Sequence, residues 1–200
     1  MLRELCARTA LPTKLGVVGR GPFGKKYADT LKKMGIEFWH HGKDHNLRAC
    51  DGVIIASAAE SHFQVAKDFI QAGVPVLIEK PVCMTTFEAK KLLAIGKHMD
   101  AIIFSGYTRL YSPAWRAIKA KVDKLALTNV EAQAGGRCKL HHKLEWGSHL
   151  TAMCLDLDYD PKKALIVTSD NEMPFRVRVN GEHVFDDRMT DPSPLAVLIG

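Results

Sequence analysis

Three glycines spaced as a phosphate-binding turn are the first residues of the chain that point to chemistry. Gly19-Arg20-Gly21-Pro22-Phe23-Gly24 reads G-x-G-x-x-G. It follows an apolar run from Leu15 and opens a stretch with helical periodicity, the context in which this pattern holds a dinucleotide. The first glycine permits a tight turn, the second lets the backbone approach a pyrophosphate, and the third lets helix and strand pack closely. Backbone N–H groups at the start of the helix then favour the anion, and Pro22 stands where a helix can spare a donor. All six residues are cofactor-binding candidates. In sites for the cofactor without a 2′-phosphate, an acid about 20 residues on holds the ribose. Asp44 has suitable spacing for that role, whereas Lys43 and Arg20 suit the 2′-phosphate of NADP. The balance tips to NADP, with NAD as the alternative.

The elements that must position this turn alternate between strand and helix. Leu15 to Gly19, Ile36 to His41, Val53 to Ser57, Pro75 to Ile78 and Ala101 to Ser105 read as strands. Between them Phe23 to Met34, Glu60 to Ala72 and Thr86 to His98 read as amphipathic helices. Unbroken apolar strands separated by helices predict a parallel sheet of the Rossmann type, hence an α/β fold. The stretch from Gly42 to Gly52 leaves room for a crossover of one or two turns at most. After a further helix from Pro113 to about Val122 the pattern changes. Leu125 to Ala134, Lys163 to Thr168 and Phe175 to Val179 read as strands, the last closed by an Asn180-Gly181 hairpin turn. The expected division is a dinucleotide-binding domain over 1–112 and a small α+β domain over 113–200.

Composition narrows the classes. Of the 200 residues, 46% are hydrophobic and 25% charged, which excludes a disordered or collagen-like chain. The longest apolar runs are far too short to span a bilayer, and the N-terminal residues do not read as a signal peptide. The net charge of +6 suits an anionic ligand. The basic residues are scattered, so nucleic acid is not expected as a partner. Cys6, Cys50, Cys83, Cys138 and Cys154 are odd in number and form no C-x-x-C, which favours reduced thiols and a cytoplasmic setting. Cys138, His141, His142 and His149 do not have a zinc spacing, and no metal is expected.

Three further segments carry a family resemblance. They are Ile54 to His62, then Gly73-Val74-Pro75-Val76-Leu77-Ile78-Glu79-Lys80-Pro81, and Ser105 to Ala114. Together with Glu145-Trp146-Gly147-Ser148-His149, they resemble in order the Gfo/Idh/MocA family of NAD(P)-dependent oxidoreductases, over roughly residues 12 to 155. The resemblance implies a hydride transfer between nicotinamide and a hydroxyl-bearing carbon of a sugar, polyol or nucleotide-sugar. It implies catalytic roles for Lys80, His149 and Glu145, and cofactor contacts for Ser57, Ala58, His62, Glu79 and Lys80. The residue chemistry agrees with those roles. Histidine titrates near neutrality and can take a proton from a hydroxyl. Lys80 follows the carboxyl end of a parallel strand, where α/β sheets bind ligands. Glu145 and His149 stand at i and i+4, so they share one face of a helix.

The chain departs from the family in two places. Glu145 stands where the family has Asp, and the second domain is shortened. Both departures keep a rival reading open, that of a non-catalytic dinucleotide-binding protein or regulatory subunit. The family also implies a small-molecule substrate, no membrane partner, and a homo-oligomer through the second domain.

Overall fold

In a computed structural model of the chain, the described residues are 14–42, 49–122, 127–135, 147–169, 171 and 173–186. The chain packs as two compact units, Met1–Gly106 and Tyr107–Gly200. The division falls just before the 112/113 boundary that the change of sequence pattern suggests.

The first unit is an α/β layer structure. Its elements are β1 (Lys14–Val18), α1 (Pro22–Lys33), β2 (Glu37–His41), β3 (Gly52–Ile55), α2 (Ala59–Gln71), β4 (Val76–Ile78), α3 (Thr86–His98) and β5 (Ile103–Ser105). Five parallel strands lie in the order β2-β1-β3-β4-β5. Val18, Val53, Ile55, Val76 and Ile78 face Val65, Ala66, Phe69 and Ile70 of α2 and Leu92 of α3. On the other side Val17 and Ile54 meet Leu31 of α1. With both faces covered, the strands must be apolar without a break, and that is how they read in the sequence.

Helix ends follow from local bonds. Gly35, Gly73 and Asp100 take positive φ after α1, α2 and α3. The next residues, Ile36, Val74 and Ala101, donate back to Leu31, Phe69 and Gly96, which closes each helix with a Schellman motif. The third closure explains why β5 starts at Ile103 rather than at Ala101. Thr85 and Glu88 cap the start of α3 reciprocally, the Thr85 side chain on the Glu88 N–H and the Glu88 carboxylate on the Thr85 N–H.

The second unit is a half-covered sheet. A 3₁₀ turn (Thr108–Tyr111) leads into α4 (Pro113–Val122), β6 (Val130–Gly135), α5 (Ser148–Asp156), β7 (Leu165–Ser169), β8 (Met173–Val179) and β9 (Glu182–Asp186). The four strands lie in the order β7-β6-β8-β9, with β6 and β7 parallel and the other pairs antiparallel. Trp115 and Ile118 of α4, with Leu150, Met153 and Cys154 of α5, pack on Val130, Ala132, Ala134, Val177 and Val179. Trp115 is fully buried, and its indole N–H reaches Asp156 at 2.8 Å. Asn180 and Gly181 both have positive φ between β8 and β9, as a two-residue type I′ hairpin requires. The strand expected from Leu125 begins at Val130, and residues 127–129 precede it. The Asn180 side-chain oxygen accepts from the N–H groups of Thr128 and Asn129, taking that backbone out of the ladder.

Candidate dinucleotide site

The chain leaves β2 and crosses over β1 to form β3 on its far side. This reversal makes the β1/β3 boundary a topological switch point, where open α/β sheets leave a crevice beyond the strand ends. The G-x-G-x-x-G turn leaves the carboxyl end of β1 at this point, and Ser57 and Ala58 follow β3 beside it.

Each glycine of the turn has its own physical account. Gly19 has φ +116°, and a β-carbon there would run into the Ala56 carbonyl group and the Ser57 nitrogen. A β-carbon on Gly24 would collide with the Gly19 carbonyl. Packing alone therefore requires both. Gly21 differs, for its backbone is extended (φ −68°, ψ −179°) and a β-carbon there would meet nothing within 4 Å. Pro22 opens α1 at its first position, and Arg20 and Phe23 are exposed beside the turn. The turn is fastened from β2, where His40 Nε2 lies 2.8 Å from the Gly19 carbonyl oxygen.

Beyond β3, the Ser57 and Ser61 hydroxyls bond at 2.6 Å, and Ser61 donates to the Ala58 carbonyl at 2.7 Å. Two residues expected on the cofactor face inward instead. Glu79 is 5% exposed. Its Oε1 accepts from the Tyr27 hydroxyl at 2.7 Å and its Oε2 from the Lys80 backbone N–H at 3.1 Å. Burial and this carboxylate together push the Tyr27 hydroxyl pKa well up, so the phenol keeps its proton and donates it. His62 is 2% exposed, with Nδ1 2.8 Å from the Pro81 carbonyl oxygen and Nε2 3.1 Å from that of Ser57. Both side chains are spent on protein groups, because an open cofactor contact would leave those buried partners unsatisfied. Lys80 follows β4, is partly exposed, and precedes a cis peptide to Pro81.

His149 belongs to the second unit. It lies in the first turn of α5, 7% exposed, with its ring edge-on to Tyr107 at a centroid distance of 5.5 Å. Burial raises the Tyr107 hydroxyl pKa, and a hydrogen bond from Ser148 opposes that rise. Tyr107, Ser148, Thr151 and Thr168 put hydroxyls on a cleft of about 420 Å³, otherwise lined by Gly147, Ala152, Leu155 and Ile166. Glu145, Lys43 and Asp44 lie outside the described residues, as do Cys6, Cys138, His141 and His142. Among the described residues no group of three His, Cys, Asp or Glu is placed to hold a metal, and no helix is long and apolar enough to cross a membrane.

Sequence reasoning passed over Tyr27 and Tyr107. Tyr27 is partly buried on α1 and speaks to the site only through Glu79, a contact no spacing rule encodes. Tyr107 sits inside the Ser105–Ala114 stretch, where position alone gave it no role.

The geometry agrees with the relatives. The profile of the oxidoreductase family with the NAD-binding Rossmann fold, GFO_IDH_MocA, matches residues 24–107. UDP-N-acetylglucosamine 3-dehydrogenase of Acidithiobacillus ferrooxidans is 35% identical over 71 residues, 36% of this chain and 23% of that protein. Inositol 2-dehydrogenase 1 of Saccharopolyspora erythraea is 25% identical over 142 residues, 56% of this chain and 42% of that protein. The first matched stretches span about a quarter of the length of the curated relatives, 25% in each case. In fold, the solved structure of UDP-N-acetylglucosamine 3-dehydrogenase GnnA from A. ferrooxidans superposes with a TM-score of 0.67 at 18% identity, covering 83% of this chain and 70% of that one. With its switch-point crevice and glycine turn in place, the first unit matches the NAD-binding Rossmann domain of the GFO_IDH_MocA oxidoreductase family over residues 24–107.

Proposed function

We propose that the protein is an NAD(P)-dependent oxidoreductase acting on a hydroxyl-bearing carbon of a sugar, polyol or nucleotide-sugar. The observation that carries this reading is Gly21. Packing accounts for Gly19 and Gly24, but nothing among the described residues needs a glycine at 21. A bound pyrophosphate does, since a side chain there would occupy the space of its oxygens. NADP is the cofactor we favour. Arg20 is exposed at the turn, and the described end of β2, His40-His41-Gly42, carries no carboxylate for a ribose 2′-hydroxyl.

The bound nicotinamide supplies the hydride acceptor or donor. In the oxidative direction the alcohol carbon gives up its hydride while His149 takes the hydroxyl proton. The products are a carbonyl, the reduced cofactor and a protonated base. Lys80 steadies the developing alkoxide, and Glu145 orients His149. The relatives named as inositol and UDP-N-acetylglucosamine dehydrogenases support the CH–OH chemistry. We also assign self-association to the uncovered face of the second sheet, where Leu165 and Val167 are exposed.

The test is a fluorescence titration with NADPH and NADH. Wild-type protein binds one of them, Gly21→Ala binds it at least about tenfold more weakly, and Gly21→Val does not bind, all with unchanged melting temperatures. Normal binding by Gly21→Val would overturn the reading. Glu145 in place of aspartate favours one rival, a protein that binds the dinucleotide without turnover. That rival predicts the same titration but no hydride transfer to any carbonyl of this class.

A further inference from the structure

Lys80 is held by its backbone from two directions. On one side its N–H donates to Glu79 Oε2 at 3.1 Å, and Glu79 is itself fixed by the Tyr27 hydroxyl at 2.7 Å. A β-carbon at Gly106 would come within 2.9 Å of the Glu79 α-carbon, so the segment leaving β4 is gripped closely there too. On the other side the carbonyl of the next residue, Pro81, meets His62 Nδ1 at 2.8 Å. The same ring reaches the Ser57 carbonyl through Nε2 at 3.1 Å. One imidazole therefore spans the segments leaving β3 and β4, with 2% of its surface exposed.

We propose that His62 is a positioning residue, which ties the Lys80–Pro81 segment to the Ser57 turn and so sets where the Lys80 ammonium stands. It touches neither cofactor nor substrate. The proposal rests on the role given to Lys80 above, but the tie itself is tested without any turnover.

The two ring nitrogens can be replaced separately. An asparagine amide stands near the place of Nδ1 and a glutamine amide near that of Nε2. A neutral imidazole carries one N–H, and the shorter contact assigns it to Nδ1, donating to the Pro81 carbonyl; His62→Asn keeps that donor, and His62→Gln places its amide at Ser57 instead. Lys80 is read directly after reductive methylation with ¹³C-formaldehyde, its dimethylamino resonance being assigned by its loss in Lys80→Arg. We expect this resonance to hold its wild-type position in His62→Asn and to shift in His62→Gln and His62→Ala. NADPH affinity, set at the glycine turn, stays within about twofold of wild type in His62→Asn and His62→Gln.

A resonance unmoved in all three variants would overturn the proposal. An equal shift in His62→Asn and His62→Gln would also overturn it, because the Pro81 bond would then not be the carrier. Loss of NADPH binding in both amide variants would make His62 a cofactor contact, again against the proposal. If wild-type protein binds neither nucleotide, the oxidoreductase reading fails, yet the Lys80 resonance still decides the tie. Where a substrate turns over, kcat for His62→Gln falls by on the order of 100-fold with an unchanged KM for NADPH, and His62→Asn recovers most of it.

Discussion

The two sheets of this chain bury their strands differently. In the parallel sheet the neighbours Val17 and Val18 point to opposite sides, and both are fully buried. In the mixed sheet β6 alternates, with Val130, Ala132 and Ala134 buried and Glu131 and Gln133 partly exposed. A sheet covered by helices on both faces has only its strand ends left for chemistry, and there the glycine turn, Ser57 and Lys80 lie. A sheet covered on one face keeps a whole surface for contact. On this one the ion pair of Arg178 with Glu131, at 3.0 Å, sits half-exposed and contributes little to stability.

Substitutions in the two units test this contrast. Phe69→Ala in the first core and Trp115→Ala in the second should each cost about 3–5 kcal/mol in urea denaturation, since both side chains are fully buried. Val167→Ala on the open face should stay within about 0.5 kcal/mol. A cost like that of Phe69→Ala would mean that the face is covered.

Next come the glycines. Gly19→Ala should lose about 1–3 kcal/mol from its positive φ, with the Ala56 clash added, whereas Gly21→Ala should melt like wild type. Thr85→Ala removes one half of the capping box and should cost about 1 kcal/mol, read from the denaturation midpoint. The smallest effect is chemical. Burial, with the Glu88 carboxylate adding to it, pushes the Cys83 thiol up to about 11. Its thiolate is scarce at pH 8, so iodoacetamide should label it slowly there and faster as pH approaches 11.

How much of this was legible in the sequence depended on what each element is made of. The parallel strands and their helices read directly, because full burial writes continuous apolar runs and Schellman ends write Gly35 and Gly73. The start of β6 did not, since it is set by Asn180, a residue far along the chain whose side chain claims the Thr128 and Asn129 amides. In the site the contrast is the same. The glycine turn is local and announces itself. The inward turn of Glu79 and His62 depends on Tyr27, Ser57 and Pro81 meeting them in space, which residue types alone do not encode. The i, i+4 relation of Glu145 to His149 falls partly outside the described residues, which begin again at Gly147 just ahead of α5.

The Asn180-Gly181 turn also bears on how the protein ages. Asparagine followed by glycine is the pair most prone to lose its side-chain amide through a cyclic imide, which reopens to aspartate or to isoaspartate. Aspartate would keep an oxygen for the three donors from Thr128 and Asn129 that now converge on Asn180 Oδ1. Isoaspartate would route the main chain through the side-chain carbon and lengthen a two-residue turn that has no slack. The pairing of Val179 with Glu182 would part first. In stored protein, the hairpin of β8 and β9 is therefore where chemical wear would first loosen the second unit.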